Sequence, residues 1–283
     1  FEQRTFPNMV KKINADIAHV PYWAPPLSSP VKLVTSILDM IPLVIPDYSR
    51  GFTNRFYTSL VSSAAAGSTH TITISHAAKQ DIIDHLHLPE ETITVTHLGV
   101  DTRFHPRMGA ENDEAIRKKY NLPDQFGLYL GSFDFRKQVN QLLYAYTYVV
   151  EAEGDQYPLV LAGKRPPQWK MPIFPDLDSY IDELNLSDIV QWTGFIPPED
   201  KAAIYRLATV FVFPSMYEGF GLPPLEAMAS GTPVVTSNID VFQEVLGESA
   251  FLAEAVRNIG GGILALLNQE SFRDTMMNQG LAQ

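Results

Sequence analysis

Short apolar runs alternate with stretches in which apolar residues recur at helical spacing, from one end of the chain to the other. The apolar runs predict strands over Ile17–Val20, Val31–Leu38, Thr71–Ser75, Thr92–Thr96 and Gly127–Ser132, and again over Leu159–Ala162, Val190–Thr193, Thr209–Phe213, Pro233–Ser237 and Ala250–Leu252. The intervening periodicity predicts helices over Phe56–Ala66, Ala77–His85, Glu111–Tyr120, Gln138–Glu151, Leu177–Leu184, Glu199–Leu207, Pro224–Ala229 and Val241–Leu246. A β-run followed by a helical pattern, many times over, means parallel sheets covered on both faces by helices, the α/β class. In open sheets of this class, ligands bind beyond the carboxyl ends of the strands. Candidate chemistry is therefore sought in the loops that follow each strand.

The pattern breaks once. Phe104-His105-Pro106-Arg107-Met108-Gly109 is irregular, a polar charged helix follows it, and Asn121-Leu122-Pro123-Asp124 opens a fresh strand. Two domains are expected, residues 1–110 and 111–283. A length of 283 residues accommodates two such domains. Hydrophobic residues make up 45% of the chain and charged residues 19%, a globular balance without room for a long disordered tail. No apolar run reaches the length of a membrane span, and no secretory signal is visible. The absence of cysteine excludes disulfides and cysteine-ligated metals, and fits a cytoplasmic protein. The net charge of −11 argues against nucleic acid as a partner; an anionic small ligand needs a local cationic pocket. The chain begins at Phe1 rather than Met and ends at Gly280-Leu281-Ala282-Gln283 without a helix cap, so a fragment of a longer protein is expected.

One strand end carries the chemistry. Val210-Phe211-Val212-Phe213-Pro214-Ser215 is an apolar strand and its exit; Met216-Tyr217-Glu218-Gly219-Phe220-Gly221 is a glycine loop; Leu222-Pro223-Pro224-Leu225-Glu226-Ala227-Met228-Ala229 is a helix with proline in its first turn, where a missing N–H is tolerated. Glycines at 219 and 221 let the backbone approach a ligand. N–H groups at a helix start favour an anion such as phosphate. Glu218 and Glu226 frame that anion site and are suited to accept hydrogen bonds from sugar hydroxyls. Taken singly, each glutamate reads better as a surface residue; the whole string does not. It closely resembles the family-4 retaining glycosyltransferases, in which two glutamates separated by seven residues sit in this context. The resemblance implies that Glu218 holds donor-sugar hydroxyls, that Glu226 holds the ribose, and that the amides of Gly219, Phe220, Gly221 and Leu222 approach sugar and phosphate.

Other strand ends follow the same family in order. Leu128-Tyr129-Leu130-Gly131-Ser132-Phe133-Asp134-Phe135-Arg136-Lys137 is a strand, a glycine turn and two cations opening a helix. Cations there suit a diphosphate leaving group, on which charge develops as the glycosidic bond breaks. The resemblance gives Lys137 a role on the diphosphate. The family's arginine often follows the glycine directly; Ser132 stands there, and Arg136 is the substitute candidate. Thr193-Gly194-Phe195-Ile196-Pro197 resembles the loop that holds the base, largely through backbone groups. Lys164 and Arg165 add positive charge to another strand end, or are plain surface residues. Thr73-Ile74-Ser75-His76 and Ile93-Thr94-Val95-Thr96-His97-Leu98-Gly99-Val100-Asp101 follow the family in the first domain, with His97 favoured as a surface or packing residue. One position departs: many relatives have His-Asp after the Val31–Leu38 strand, with the histidine facing the reaction centre. Leu38 occupies that place and Asp39 is retained; His19 is a substitute candidate.

The resemblance implies the GT-B arrangement, two Rossmann-like domains facing a cleft, with the N-terminal domain incomplete and the closing C-terminal helix absent. It implies transfer of a hexosyl group, mannosyl- or glucosyl-type, from a nucleoside diphosphate sugar to a sugar or glycolipid acceptor hydroxyl, with retention, in polysaccharide or glycolipid synthesis of the cell envelope. A glycolipid acceptor leaves room for peripheral contact with the cytoplasmic face of a membrane. Neither cofactor nor metal is expected: Asp176-Leu177-Asp178 has the spacing of a metal motif but sits in a Pro-flanked loop at a helix start, where capping is the favoured role. Three alternatives stand beside this reading. A degenerate nucleotide-sugar-binding module is favoured by Leu38. A nicotinamide dehydrogenase is disfavoured because Pro224 stands where the third glycine of a dinucleotide fingerprint belongs. A sugar phosphorylase of similar fold has no specific signal.

Overall fold

The computed structural model describes residues 2–166, 169 and 173–283. Phe1, which entered the expectation of a fragment, lies outside the described residues. Contacts divide the chain into two compact units: the stretch through Leu98 together with Glu218–Phe220, and Gly99–Tyr217 together with Gly221–Gln283.

The first unit runs α1 (Thr5–Lys12), β1 (Ile17–Val20), β2 (Lys32–Ser36), α2 (Ile41–Val44), α3 (Phe52–Ala66), β3 (His70–Thr73), α4 (His76–Leu86) and β4 (Ile93–Val95). Its sheet has the order β1-β2-β3-β4, every pair parallel, with Val20 opposite Thr35 and Thr73 opposite Val95. Two apolar clusters support it. One joins Ile37, Met40, Ala65, Ile82 and Ile93; the other joins Val10 of α1 to Ala18, Val20 and Leu33. Ser75 starts α4: its hydroxyl accepts the Ala78 N–H, the local reason the helix begins directly after β3.

The second unit runs α5 (Asp113–Tyr120), β5 (Gly127–Leu130), α6 (Val139–Glu153), β6 (Leu159–Ala162), α7 (Leu177–Glu183), β7 (Val190–Gly194), α8 (Lys201–Leu207), β8 (Val210–Phe213), α9 (Leu222–Ala229), β9 (Val234–Ser237), α10 (Asp240–Leu246), β10 (Phe251–Ala253), α11 (Val256–Asn268) and α12 (Glu270–Ala282). Its sheet is wholly parallel, in the order β10-β9-β8-β5-β6-β7. Every residue of β5, β6 and β8 is buried, which is why these strands read as unbroken apolar runs rather than alternating ones.

All ten expected strands are present, with ends shifted by one or two residues in most. The expected helix at Glu111 starts later, at Asp113, after a 3-10 turn over Ala110–Asn112. Its Asp113 carboxylate takes two bonds from Arg206, at 2.5 and 2.9 Å, a pair that fastens α5 to α8. α11 and α12 lie beyond the helices expected from the pattern. Gly260-Gly261-Gly262 opposes helix by propensity, but packing overrides it. A Cβ at 260 would stand 2.9 Å from the Ala145 carbonyl oxygen of α6, and one at 262 would stand 2.5 Å from the Phe251 ring. The bare backbone is what lets α11 lie this close to its neighbours.

Candidate functional site

From β5 the chain proceeds outward through β6 and β7; it then returns to the other side of β5 and proceeds through β8, β9 and β10. The order reverses between β5 and β8. At such a switch point the loops leaving the two strands part and open a crevice at their carboxyl ends. The loop leaving β5 carries Gly131, Arg136 and Lys137, and the loop leaving β8 leads to Gly221, Leu222 and Glu226. The sequence motifs thus fall on the two strands whose ends define the crevice.

These loops are fastened together. The Met216 N–H donates to the Arg136 carbonyl at 2.9 Å, and Arg136 Nη1 donates to the Tyr217 carbonyl at 2.7 Å. Arg136 Nε lies 3.5 Å from Asp134 Oδ1, and Asp134 accepts the Ser132 hydroxyl at 2.6 Å. Arg136 and Lys137 are 9% and 8% exposed. Cations buried to this degree have given up most of their water and demand negative or π partners. Lys137 Nζ stands 4.6 Å over the Phe213 ring, the last residue of β8, which adds a cation–π attraction. One expectation is corrected: the two cations do not open α6. They occupy a 3-10 turn, Phe135–Lys137, and Gln138 with a left-handed φ of 53° separates that turn from the helix.

The glycine loop also differs in its physics. Gly221 has φ +114°, and a Cβ there would lie 2.9 Å from the Phe242 ring. In the first unit, a Cβ on Gly219 would fall on the Leu38 carbonyl oxygen, and the Ser75 hydroxyl donates to the Gly219 carbonyl at 2.8 Å. Both glycines are required by close protein neighbours. Glu218 is half-buried and Phe220 buried; with Gly219 they are grouped with the first unit. α9 begins at Leu222, so Pro223 and Pro224 strip two of the N–H groups that a helix start usually offers. Amide donors here come from Leu222 and the loop before it.

Glu226 is half-buried in α9, and its Oε2 accepts the Tyr205 hydroxyl at 3.0 Å. Burial pushes its carboxyl above the ordinary value of 4.5; Lys201, the Tyr205 hydrogen bond and Arg103 work against burial. Arg103 is itself fixed to Asp101 at 2.9 Å. A raised value means that Glu226 takes up its proton at a higher pH than an ordinary glutamate as the solution is acidified. Any ligand that needs its carboxylate is expected to bind progressively less well as pH falls from neutrality toward 4.5. Glu226→Gln, which has no proton to gain, is expected to flatten that acid limb in a pH series of calorimetric titrations.

Further out, Phe195 is exposed and Ile196 buried. Gly194 before them has φ +75°, and its carbonyl accepts the Gly163 N–H at 2.9 Å, joining the ends of β7 and β6. Arg165 stacks 4.0 Å over Trp192 and pairs with Asp178 at 3.3 Å. Asp176 caps α7 by accepting the Ser179 N–H, and Asp178 accepts Trp169 Nε1 at 2.6 Å. In the first unit Leu38 is 43% exposed, and Asp39 accepts the Ile41 N–H at 3.1 Å. His19 Nε2 lies 2.9 Å from Ser36 Oγ, a pairing between β1 and β2. His97 is exposed and lies edge-on to His76.

The family model for glycosyl transferases group 1 matches residues 112–282, and that for glycosyltransferase family 4 matches residues 2–104. The O-antigen chain mannosyltransferase B of Escherichia coli is 32% identical over 89% of this chain and 65% of its own length. A serotype-specific mannosyltransferase WbdA of the same species is 32% identical over 90% of this chain and 31% of its own. The chain thus spans less than two thirds of either relative. Among solved structures, Anabaena HepE in complex with UDP and glucose superposes with a TM-score of 0.71 at 18% identity, covering 89% of this chain and 66% of that one. Likeness at that identity speaks to the fold alone.

Proposed function

Because the chain belongs to the glycosyl transferases group 1, with the α/β, parallel-sheet fold of GT-B enzymes, we propose that its second unit binds a nucleoside diphosphate sugar and that the protein moves a hexosyl group from it to an acceptor hydroxyl. The mannosyltransferase relatives favour a mannosyl- or glucosyl-type group and an acceptor in envelope polysaccharide or glycolipid synthesis. The observation that carries this reading is the buried Lys137 in the loop leaving β5 together with the carboxylate of Glu226 in α9, the helix that follows the loop leaving β8. A cation there neutralises a diphosphate; a carboxylate accepts bonds from ribose hydroxyls.

In this account residues 111–283 form the donor side and residues 1–110 the acceptor side. Lys137 stabilises the charge that develops on the leaving diphosphate. Arg136 positions the loop through Tyr217 and adds to the same potential. In the second unit the amides of Gly221 and Leu222, together with Gly131, approach phosphate; for Glu218, Gly219 and Phe220, which group with the first unit, the family resemblance is what favours a role on the transferred sugar. Phe195 and Ile196 contribute backbone groups to the base. The acceptor hydroxyl attacks from the face the diphosphate leaves, and the leaving phosphate takes its proton, so configuration is retained. Lys137 and the loop amides balance the diphosphate without a metal. No helix among the described residues is long and apolar enough to cross a membrane.

Leu38 favours a second reading, a module that binds the donor without transferring it, because leucine cannot hydrogen-bond a sugar hydroxyl. A transfer assay on the full-length protein with radiolabelled GDP-mannose and UDP-glucose separates the two. Labelled acceptor product supports the enzyme; donor binding with neither transfer nor hydrolysis supports the module. In either case Glu226→Ala is expected to weaken donor binding by about 1.5–3 kcal/mol, the range for a hydrogen bond to a charged group. Isothermal titration of the donor nucleotide reads this directly.

A further inference from the structure

Glu226 does not stand alone in α9. Its Oε2 accepts the hydroxyl of Tyr205, which lies 21 residues earlier on α8 and is fully buried. Tyr205 is held at several points. Its ring packs edge-on against Phe104 at 5.9 Å and Phe211 at 5.2 Å between centroids. Its backbone carbonyl accepts the Thr232 hydroxyl at 2.5 Å, from the turn that follows α9. Two flanking rings and a packed backbone fix where the phenol oxygen stands, and Glu226 Oε2 lies within hydrogen-bond reach of it. A glutamate side chain otherwise has three rotatable bonds and several staggered states.

We propose that Tyr205 is a positioning residue for the donor site: its hydroxyl fixes the Glu226 carboxylate in the orientation that receives the ribose of the nucleotide. The proposal rests on the donor-site reading of Glu226. Tyr205 touches no nucleotide; it acts through Glu226, occupying one carboxylate oxygen and leaving the other to the ligand. Burial and the adjacent Glu226 both push the Tyr205 phenol well above its ordinary range, so it remains a donor at every pH at which the protein is handled.

Tyr205→Phe keeps the ring contacts and removes only the donor. In the full-length protein, calorimetry with the better-binding of GDP and UDP compares four forms: wild type, Tyr205→Phe, Glu226→Ala and the double variant. The same titrations are repeated with the 2′-deoxy and 3′-deoxy forms of that nucleotide. Expected is a loss of about fivefold or more for Tyr205→Phe. That loss should vanish with the deoxy nucleotide lacking the hydroxyl that Glu226 receives. Adding Tyr205→Phe to Glu226→Ala should cost nothing further, as required of residues that act as one unit. An equal loss for ribo- and deoxynucleotides overturns the proposal, since it marks a general structural role. Wild-type affinity in Tyr205→Phe, with weakened binding in Glu226→Ala, overturns it and leaves the donor site standing. Unchanged affinity in Glu226→Ala removes the donor-site reading itself, and the proposal with it.

Discussion

Lys137→Ala is expected to weaken binding of a nucleoside diphosphate by roughly 10- to 150-fold, while the matching nucleoside binds within about twofold of wild type; the first figure corresponds to a charge-assisted contact of about 1.5–3 kcal/mol. The selectivity follows from position. Lys137 is buried in the turn after β5, with its ammonium over the Phe213 ring at the end of β8, at the switch point of the sheet. An ammonium in that place adds favourable potential for phosphate and nothing specific for a base or a ribose. Glu226→Ala acts on the other part of the ligand, so its loss is expected to persist with the nucleoside. Calorimetry with guanosine, GDP, uridine and UDP on both variants resolves the two patterns. A Lys137→Ala variant that loses nucleoside and nucleoside diphosphate equally would place the lysine's contribution in folding rather than in phosphate recognition.

Gly163→Ala is expected to carry the largest stability cost of any single methyl added to the second unit, about 2–5 kcal/mol. Two effects combine. Gly163 has φ +152°, a conformation that side chains rarely adopt. Its added Cβ would also fall on the Gly131 carbonyl oxygen, a backbone atom flanked by strand hydrogen bonds: the Gly131 N–H donates to Ala162, and the Gly163 N–H donates to Gly194. Neither partner can give way without displacing the ends of β5, β6 and β7 together. The variant should unfold at a clearly lower temperature in a calorimetric scan. If it folds, nucleotide affinity should fall too, because Gly131 leads into the turn that carries Lys137. Gly261→Ala, at a helical glycine where an added Cβ meets nothing within 4 Å, is the control expected to be neutral or mildly stabilising.

The strands were legible because their cause is local. Val210-Phe211-Val212-Phe213 is short, β-branched and aromatic, and closed by Pro214, which marks a strand buried on both faces, and the apolar runs around it read the same way. Glycine-rich helices were not: in α11 the propensity of three glycines opposes what close packing on Ala145 and Phe251 enforces. The glycine loop was legible as a motif but not in its mechanics. Gly219 and Gly221 suggested room for a ligand, whereas the nearest atoms belong to Leu38 and Phe242. The prolines of α9 are compatible with a helix start, but which N–H groups they remove depends on the helix beginning at Leu222. Tyr205 was invisible, since nothing in a sequence signals that a buried phenol on one helix donates to a carboxylate 21 residues away on the next. Arg136 is evident as a cation in the sequence, but its bond to the Tyr217 carbonyl depends on β5 and β8 being neighbours in the sheet.

We propose that a nucleoside diphosphate is held beyond the ends of β5 and β8 by Lys137 and Glu226. Isothermal titration of GDP and UDP into the full-length wild type, Lys137→Ala and Glu226→Ala tests it most directly. At least one nucleotide is expected to bind the wild type, and each variant to bind it at least about tenfold more weakly. Affinity for both nucleotides unchanged in both variants would contradict it.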